Sequence, residues 1–137
     1  MGAETRAIAG GQYRQPEKEF IEHLSAGRFM LPKETVSGRF IFPPRVAEPL
    51  SGRTSLEWHE ASGRGTVYAV TVVHPKAPDT PYNVALIDLA EGPRLMSRVI
   101  GVQPDEVVIG MPVMARIIEE SFGKVLVFEA ISGGAQA

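Results

Sequence analysis

The spacing of glycine and proline limits this chain more than any other feature: 14 glycines and 11 prolines are spread along 137 residues. Such dense punctuation favours short elements over long helices. The chain is still 44% hydrophobic, an ordinary fraction for a globular protein. Its length suits one domain. No apolar run approaches the roughly 18–20 residues that cross a bilayer. Residues Met1 to Arg6 lack the basic-then-apolar pattern of a secretory signal. Cysteine is absent, which removes disulfides, thiol catalysis and any Cys-ligated metal. These features fit a cytoplasmic location and no membrane partner.

Between the punctuation marks, the residue pattern predicts a mainly β protein. Residues 1–27 form an N-terminal arm and one helix. The arm, with Gly10-Gly11, is expected to be loose. The helix is expected from about Glu17 to Ala26: Pro16 suits its first turn, Glu17 and Glu19 complement its positive end, and Gly27 stops it. Phe20, Ile21 and Leu24 share one face of it. Residues 28–53 are loop-rich, with short apolar runs at Phe29–Pro32 and Arg39–Pro44. Turns are expected at Lys33–Gly38 and Glu48–Gly52. Residues 54–131 read as strands: the Leu56/Trp58 alternation, then Gly65–His74, Tyr82–Ala90, Arg94–Gly101, Met111–Glu119 and Val125–Ala130. A helical turn is expected at Pro104–Val107 and a hairpin at Ser121–Lys124. Five or six short strands with one late helical turn suggest a small barrel. The tail, residues 132–137, is expected to be disordered.

Several segments in this order resemble one known family. They are Phe20-Ile21-Glu22-His23-Leu24, Phe40-Ile41-Phe42-Pro43-Pro44-Arg45, Leu56-Glu57-Trp58, Ser62-Gly63-Arg64-Gly65-Thr66-Val67-Tyr68 and Ile109-Gly110-Met111-Pro112-Val113. Together they resemble the acyl-CoA-associated OB-fold proteins catalogued as domain of unknown function thirty-five. The resemblance implies a helix, a rubredoxin-like zinc ribbon and a five- to six-stranded OB barrel. It also places the ribbon's four metal-binding cysteines at Glu34, Ser37, Glu48 and Ser51, next to the retained Gly38, Pro49 and Gly52. Two carboxylates and two hydroxyls do not make a tetrahedral thiolate site. The expectation is therefore a metal-free ribbon without zinc.

The function implied by the resemblance is that of a non-catalytic accessory subunit. It would dock to a thiolase-like or hydratase enzyme and meet the CoA portion of the substrate. CoA phosphates call for paired donors, which arginine supplies. Arg39, Arg45, Arg53 and Arg64 are the candidates, with ordinary surface charge as the competing reading. CoA or acyl-CoA is thus expected as a ligand and no other cofactor. For Phe20, Ile21 and Leu24, with Phe29, Phe40 and Phe42, two readings compete. One is burial against the chain's own barrel; the other is docking on an enzyme partner or a second copy of the chain.

Other functions find less support. His23 falls on the polar side of the helix, His59 alternates with Trp58 toward solvent, and His74 ends a strand. Ser62 and Ser97 lack the strand–turn–helix setting of an activated nucleophile. No catalytic residue is assigned. An OB barrel that binds nucleic acid is the alternative, but a net charge of −2 gives little attraction for phosphate backbone.

Overall fold

The computed structural model describes residues 6–7, 15–45, 49 and 51–131, residues 6–7 by backbone alone. The expectations for the tail and for Glu48 lie outside these residues, as does most of the arm. Helix α1 (Pro16–Ser25) begins and ends one residue before the expected bounds. Pro16 occupies its first turn, where a missing N–H leaves no bond unmade. The helix closes when the Ala26 and Arg28 amides both turn back to the His23 carbonyl. Gly27, at φ 83°, makes the left-handed step between them.

Three strands form a small antiparallel sheet: β1 (Arg6–Ala7), β2 (Met30–Glu34) and β3 (Leu56–Glu60), in the order β1-β3-β2. This corrects two expectations. The arm contributes a strand, with Arg6 opposite Trp58. And Leu56–Glu60, expected to start the barrel, pairs with β2 instead, from Met30 opposite Glu60 to Glu34 opposite Leu56. The alternation was real, since Leu56 and Trp58 are both buried. They pack with Met30 and Ile41, however, in a cluster separate from the barrel interior. Period-2 alternation says which face is buried, not which strand lies alongside.

The far end of this sheet is tied by Glu34. Its side chain is fully buried, and buried carboxylates require partners. Glu34 accepts hydrogen bonds from the Ser37 amide (2.7 Å), the Val36 amide (3.1 Å) and the Ser55 hydroxyl (2.5 Å). The Arg53 guanidinium stands 3.6 Å away. One carboxylate thus joins the turn after β2 to the segment leading into β3. The Ser55 hydroxyl foremost, helped by the Ser37 and Val36 donors, holds the Glu34 pKa down to about 2 against the upward push of burial. One further contact is the same in the turns at Ser37 and Ser51. Ser37 accepts from the Arg39 amide and Ser51 from the Arg53 amide, each at 3.2 Å. The intervening Gly38 and Gly52 have φ of 76° and 75°. Ser62-Gly63-Arg64 repeats the arrangement a third time, again at 3.2 Å with Gly63 at φ 85°.

The remaining strands are β4 (Arg64–Val73), β5 (Tyr82–Leu89), β6 (Arg94–Ser97), β7 (Val99–Ile100), β8 (Pro112–Glu120) and β9 (Gly123–Ala130), ordered β6-β5-β4-β8-β9-β7. The expected strand Arg94–Gly101 is in fact split at Arg98. Its first half pairs with β5 and its second half runs parallel to β9. The two ends of the sheet are therefore consecutive pieces of chain, and the sheet closes into the OB-type barrel. A bulge between Val67 and Ala69 bends β4, whose start pairs with β8 while its whole length pairs with β5. Buried Asn83 secures the closure. Its side-chain amide donates to the Val99 carbonyl (2.9 Å) and its oxygen accepts from the Val99 amide (2.8 Å). It takes the place of a neighbouring strand at the split. A short 3₁₀ turn, Pro104–Glu106, follows where a helical turn was expected.

A line of aromatic rings joins the small sheet and helix to the barrel. Phe20 meets Phe42 at 5.4 Å and Phe29 at 6.3 Å, and Phe29 meets Phe128 at 6.5 Å, all edge-to-face. Edge-on contacts of this kind are worth about 0.5–1.5 kcal/mol each beyond area burial. Trp58 adds a second tie, donating to Glu19 at 2.9 Å with the His23 ring 5.0 Å away.

Two stability predictions follow from these contacts. A free glutamate protonates near 4.5, whereas folded Glu34 resists to about 2. Its depressed pKa therefore stabilises the fold fully above about pH 4.5 and less and less as the pH falls toward 2. Glu34→Gln should melt well below the wild type at pH 7, and the difference should shrink in acid; a gap independent of pH would place the stabilisation elsewhere. At Gly65 an added Cβ would lie 2.6 Å from Ile87 Cγ2 and 3.1 Å from the Asp88 carbonyl oxygen. Gly65→Ala should cost about 1–3 kcal/mol by overpacking. An unchanged urea midpoint would mean that β4 and β5 can part at this point.

Candidate functional site

The barrel does not close evenly along its length. β7 covers β9 only at Phe128 and Glu129, so the first half of β9 faces β6 without pairing with it. A Ser97 hydroxyl bond to the Leu126 carbonyl, 3.0 Å long, links the two strands there. Two hollows open along this gap, one of about 450 Å³ beside α1 and one of about 380 Å³ beside Tyr82. They share Met96, Phe122, Val125 and Leu126 as lining. The gap lies on the β5–β6 side, flanked by the β8–β9 hairpin, where OB barrels commonly take their ligands.

The lining is apolar and conspicuously uncovered. Phe122 is 79% exposed, Met96 69% and Ile21 58%. Large apolar side chains gathered at one opening mark a contact surface more often than chance scatter does. Arg98 and Glu120, an ion pair at 2.8 Å, line the Tyr82 end. Arg98 Nε is buried and, among the described atoms, makes no hydrogen bond.

Four of the six residues expected on the apolar face line this gap, namely Phe20, Ile21, Leu24 and Phe42, while Phe29 is buried in the barrel core. Both readings of that apolar face hold in part. Leu24 is buried, Phe20 and Phe42 pack against the barrel core, and Ile21 stands at the open rim. Phe40 goes elsewhere, packing on the barrel core, with Lys33 over its ring and His59 edge-on to it. The residues that sequence reasoning missed are Met96, Phe122 and Leu126. Phe122 carried a signal: a large aromatic at a hairpin tip has no core to enter.

Of the four arginines expected for CoA, Arg39 and Arg53 share one end of the small sheet, where the Arg39 carbonyl accepts from the Glu34 amide at 2.7 Å. Arg53 sits at the Glu34 end of the small sheet. Arg64 opens β4, opposite Met114. Arg39 and Arg45 are exposed on either side of the Phe40–Pro44 segment. Strand register puts the Glu34 end four residues, about 14 Å, from the Glu60 end that leads to Arg64. Among the described residues, no group of three or more His, Asp or Glu side chains stands together as metal ligands. His59, expected to face solvent, is partly covered and lies 3.6 Å from Glu57. His23, expected on the polar side, packs edge-on against Trp58.

Residues 58–117 match the family described as ChsH2, C-terminal OB-fold domain. Over 80 residues the chain is 41% identical to the probable enoyl-CoA hydratase alpha subunit of Thermomonospora curvata, taking in 56% of this chain and 25% of that protein. It is 39% identical over 83 residues to the DUF35 domain-containing scaffold protein of Methanocaldococcus jannaschii, taking in 57% of this chain and 59% of the relative. The chain thus spans between a quarter and about three fifths of the length of these curated relatives. Among solved structures, a chain of the Ltp2-ChsH2(DUF35) aldolase matches with a TM-score of 0.76 and 30% identity, over 88% of this chain and 98% of that one. By this likeness, which runs through the ribbon-like sheet as well as the barrel, the chain belongs to the DUF35 family of OB-fold proteins.

Proposed function

We propose that this chain is a non-catalytic accessory subunit in acyl-CoA metabolism. It docks onto a thiolase-like or hydratase enzyme in the cytoplasm and meets the CoA moiety of that enzyme's substrate. The observation that carries the reading is the match along 98% of a chain of the Ltp2-ChsH2(DUF35) aldolase. The relatives named as a hydratase subunit and as a scaffold protein point the same way. The open apolar gap supplies a surface suited to a protein partner. No described helix is long and apolar enough to cross a membrane.

The reading is tested by capturing the tagged chain from its native cells and identifying what comes with it. A thiolase-like or hydratase enzyme in near-equal amount is the expected result. Oligonucleotide binding that weakens steeply with salt, in place of an enzyme, would favour the nucleic-acid alternative. For CoA itself, the exposed Arg45 and Arg64 are the side chains to remove. A hydrogen bond to a charged group contributes about 1.5–3 kcal/mol. The double change to alanine should therefore weaken CoA binding by the complex at least about tenfold, and an unchanged Kd would exclude both residues.

A further inference from the structure

The hollow beside α1 has a floor as well as a rim, which a plain apolar patch lacks. At the rim stand Ile21 of the helix, Met96 of β6 and Phe122 of the hairpin tip, all exposed. At the floor Leu24 and Leu95 are buried, and Phe20 and Phe42 pack against the barrel core. The hollow therefore leads inward between the helix and the barrel. Its volume of about 450 Å³ falls in the range of small-molecule sites, which are apolar concavities with few polar groups. Two of its lining side chains end in a hydroxyl or a charge, Ser25 and Lys124, and Lys124 alone is charged. Lys124 is exposed and makes no ion pair among the described residues. Glu119 lies opposite it in the β8–β9 hairpin but outside ion-pair reach. A lysine in such a place lays its methylenes along the apolar wall and keeps its ammonium in water.

We propose that this hollow binds a single-chain alkyl carboxylate, its chain on the apolar floor and its carboxylate at the Lys124 ammonium. The proposal does not rest on the docking of an enzyme; it concerns a site that this chain carries by itself. Two features select the occupant. The floor offers no hydrogen-bonding side chain, so whatever fills it is apolar, and each methylene that leaves water for it contributes to binding. The mouth carries one positive charge and no negative one, so an anionic head is favoured there and an ammonium head is repelled. Size sets the chain length. A methylene is close to a water in bulk, about 30 Å³, so the hollow holds no more than about fifteen of them. A medium-length chain fits, and the two chains of a membrane lipid do not.

The test titrates octanoate and decanoate, and the 1-alkylamines of the same lengths, into the purified chain below their micelle concentrations. Two added methylenes should tighten carboxylate binding about tenfold. Each carboxylate should bind a few-fold more tightly than its amine, the scale of an exposed ion pair. Lys124→Ala should erase that preference and keep the dependence on chain length. Ser25→Trp, at an exposed helix position, sets an indole into the hollow and should abolish binding; a thermal melt checks that both variants fold. In the wild type, decanoate should shift the methyl NMR signals of Leu24, Leu95 and Leu126, a readout that stands even if a variant unfolds. Failure of decanoate to bind saturably, or methyl shifts confined to other residues, would overturn the site. Equal affinity of the wild type for carboxylate and amine would overturn the anionic occupant. Either failure leaves the accessory role standing, because that role is judged by the enzyme captured with the chain and not by this titration.

Discussion

Everything that the small sheet contributes hangs on one buried carboxylate. Glu34 gathers two backbone amides, a serine hydroxyl and, at longer range, an arginine around its oxygens. The resemblance to ribbon-bearing relatives places a metal-binding cysteine at this position. A carboxylate with several donors can perform the same mechanical task, since both are anionic centres that draw turns together. The difference lies in direction. A metal ion collects anions from the protein, whereas Glu34 collects donors from it. The groups around Glu34 are accordingly donors: the Val36 and Ser37 amides, the Ser55 hydroxyl and the Arg53 guanidinium. The knot fixes the end of β2, and β2 fixes β3. Trp58 on β3 holds Glu19 of the helix, and the helix supplies Phe20 and Ile21 to the wall of the gap.

The barrel solves a separate problem, that of closing with few residues. Splitting one stretch of chain at Arg98 lets it serve both β5 and β9. The split leaves Val99 without a strand neighbour on one side. Asn83 supplies both a donor and an acceptor at that point, and its burial makes the pairing strong. The same split stops β7 from covering the first half of β9. The gap is thus a product of how the barrel closes, and the exposed Met96 and Phe122 stand where closure is incomplete.

Local features were legible in the amino-acid pattern wherever a local rule governs them. Pro16 and Gly27 bracket the helix, and alternating apolar residues mark the strands. Partnership between distant segments was not. Leu56 and Trp58 announced a buried face, but nothing in their neighbourhood names β2 as the strand beside them. The unbroken run through Arg98 concealed the split, because its cause is the far-off Asn83. Glu34 falls in an expected turn with nothing local to mark it as buried; its partner Ser55 is remote in sequence. A tripeptide repeats along the sequence. Ser37-Gly38-Arg39, Ser51-Gly52-Arg53 and Ser62-Gly63-Arg64 build the same turn three times. In each, the serine caps the arginine amide and the glycine takes the left-handed conformation. Of the arginines set in these turns, Arg53 is in part occupied with Glu34.

Replacing sulfur with oxygen at Glu34 also changes which environments threaten the fold. A thiolate knuckle answers to the cell's redox state and to its supply of metal. This chain has no cysteine for an oxidant to attack or for a chelator to strip of its ion. The Glu34 turn answers to protons instead, and only as the pH falls from about 4.5 toward 2. The knot at Glu34 is made wholly of groups that the chain itself carries.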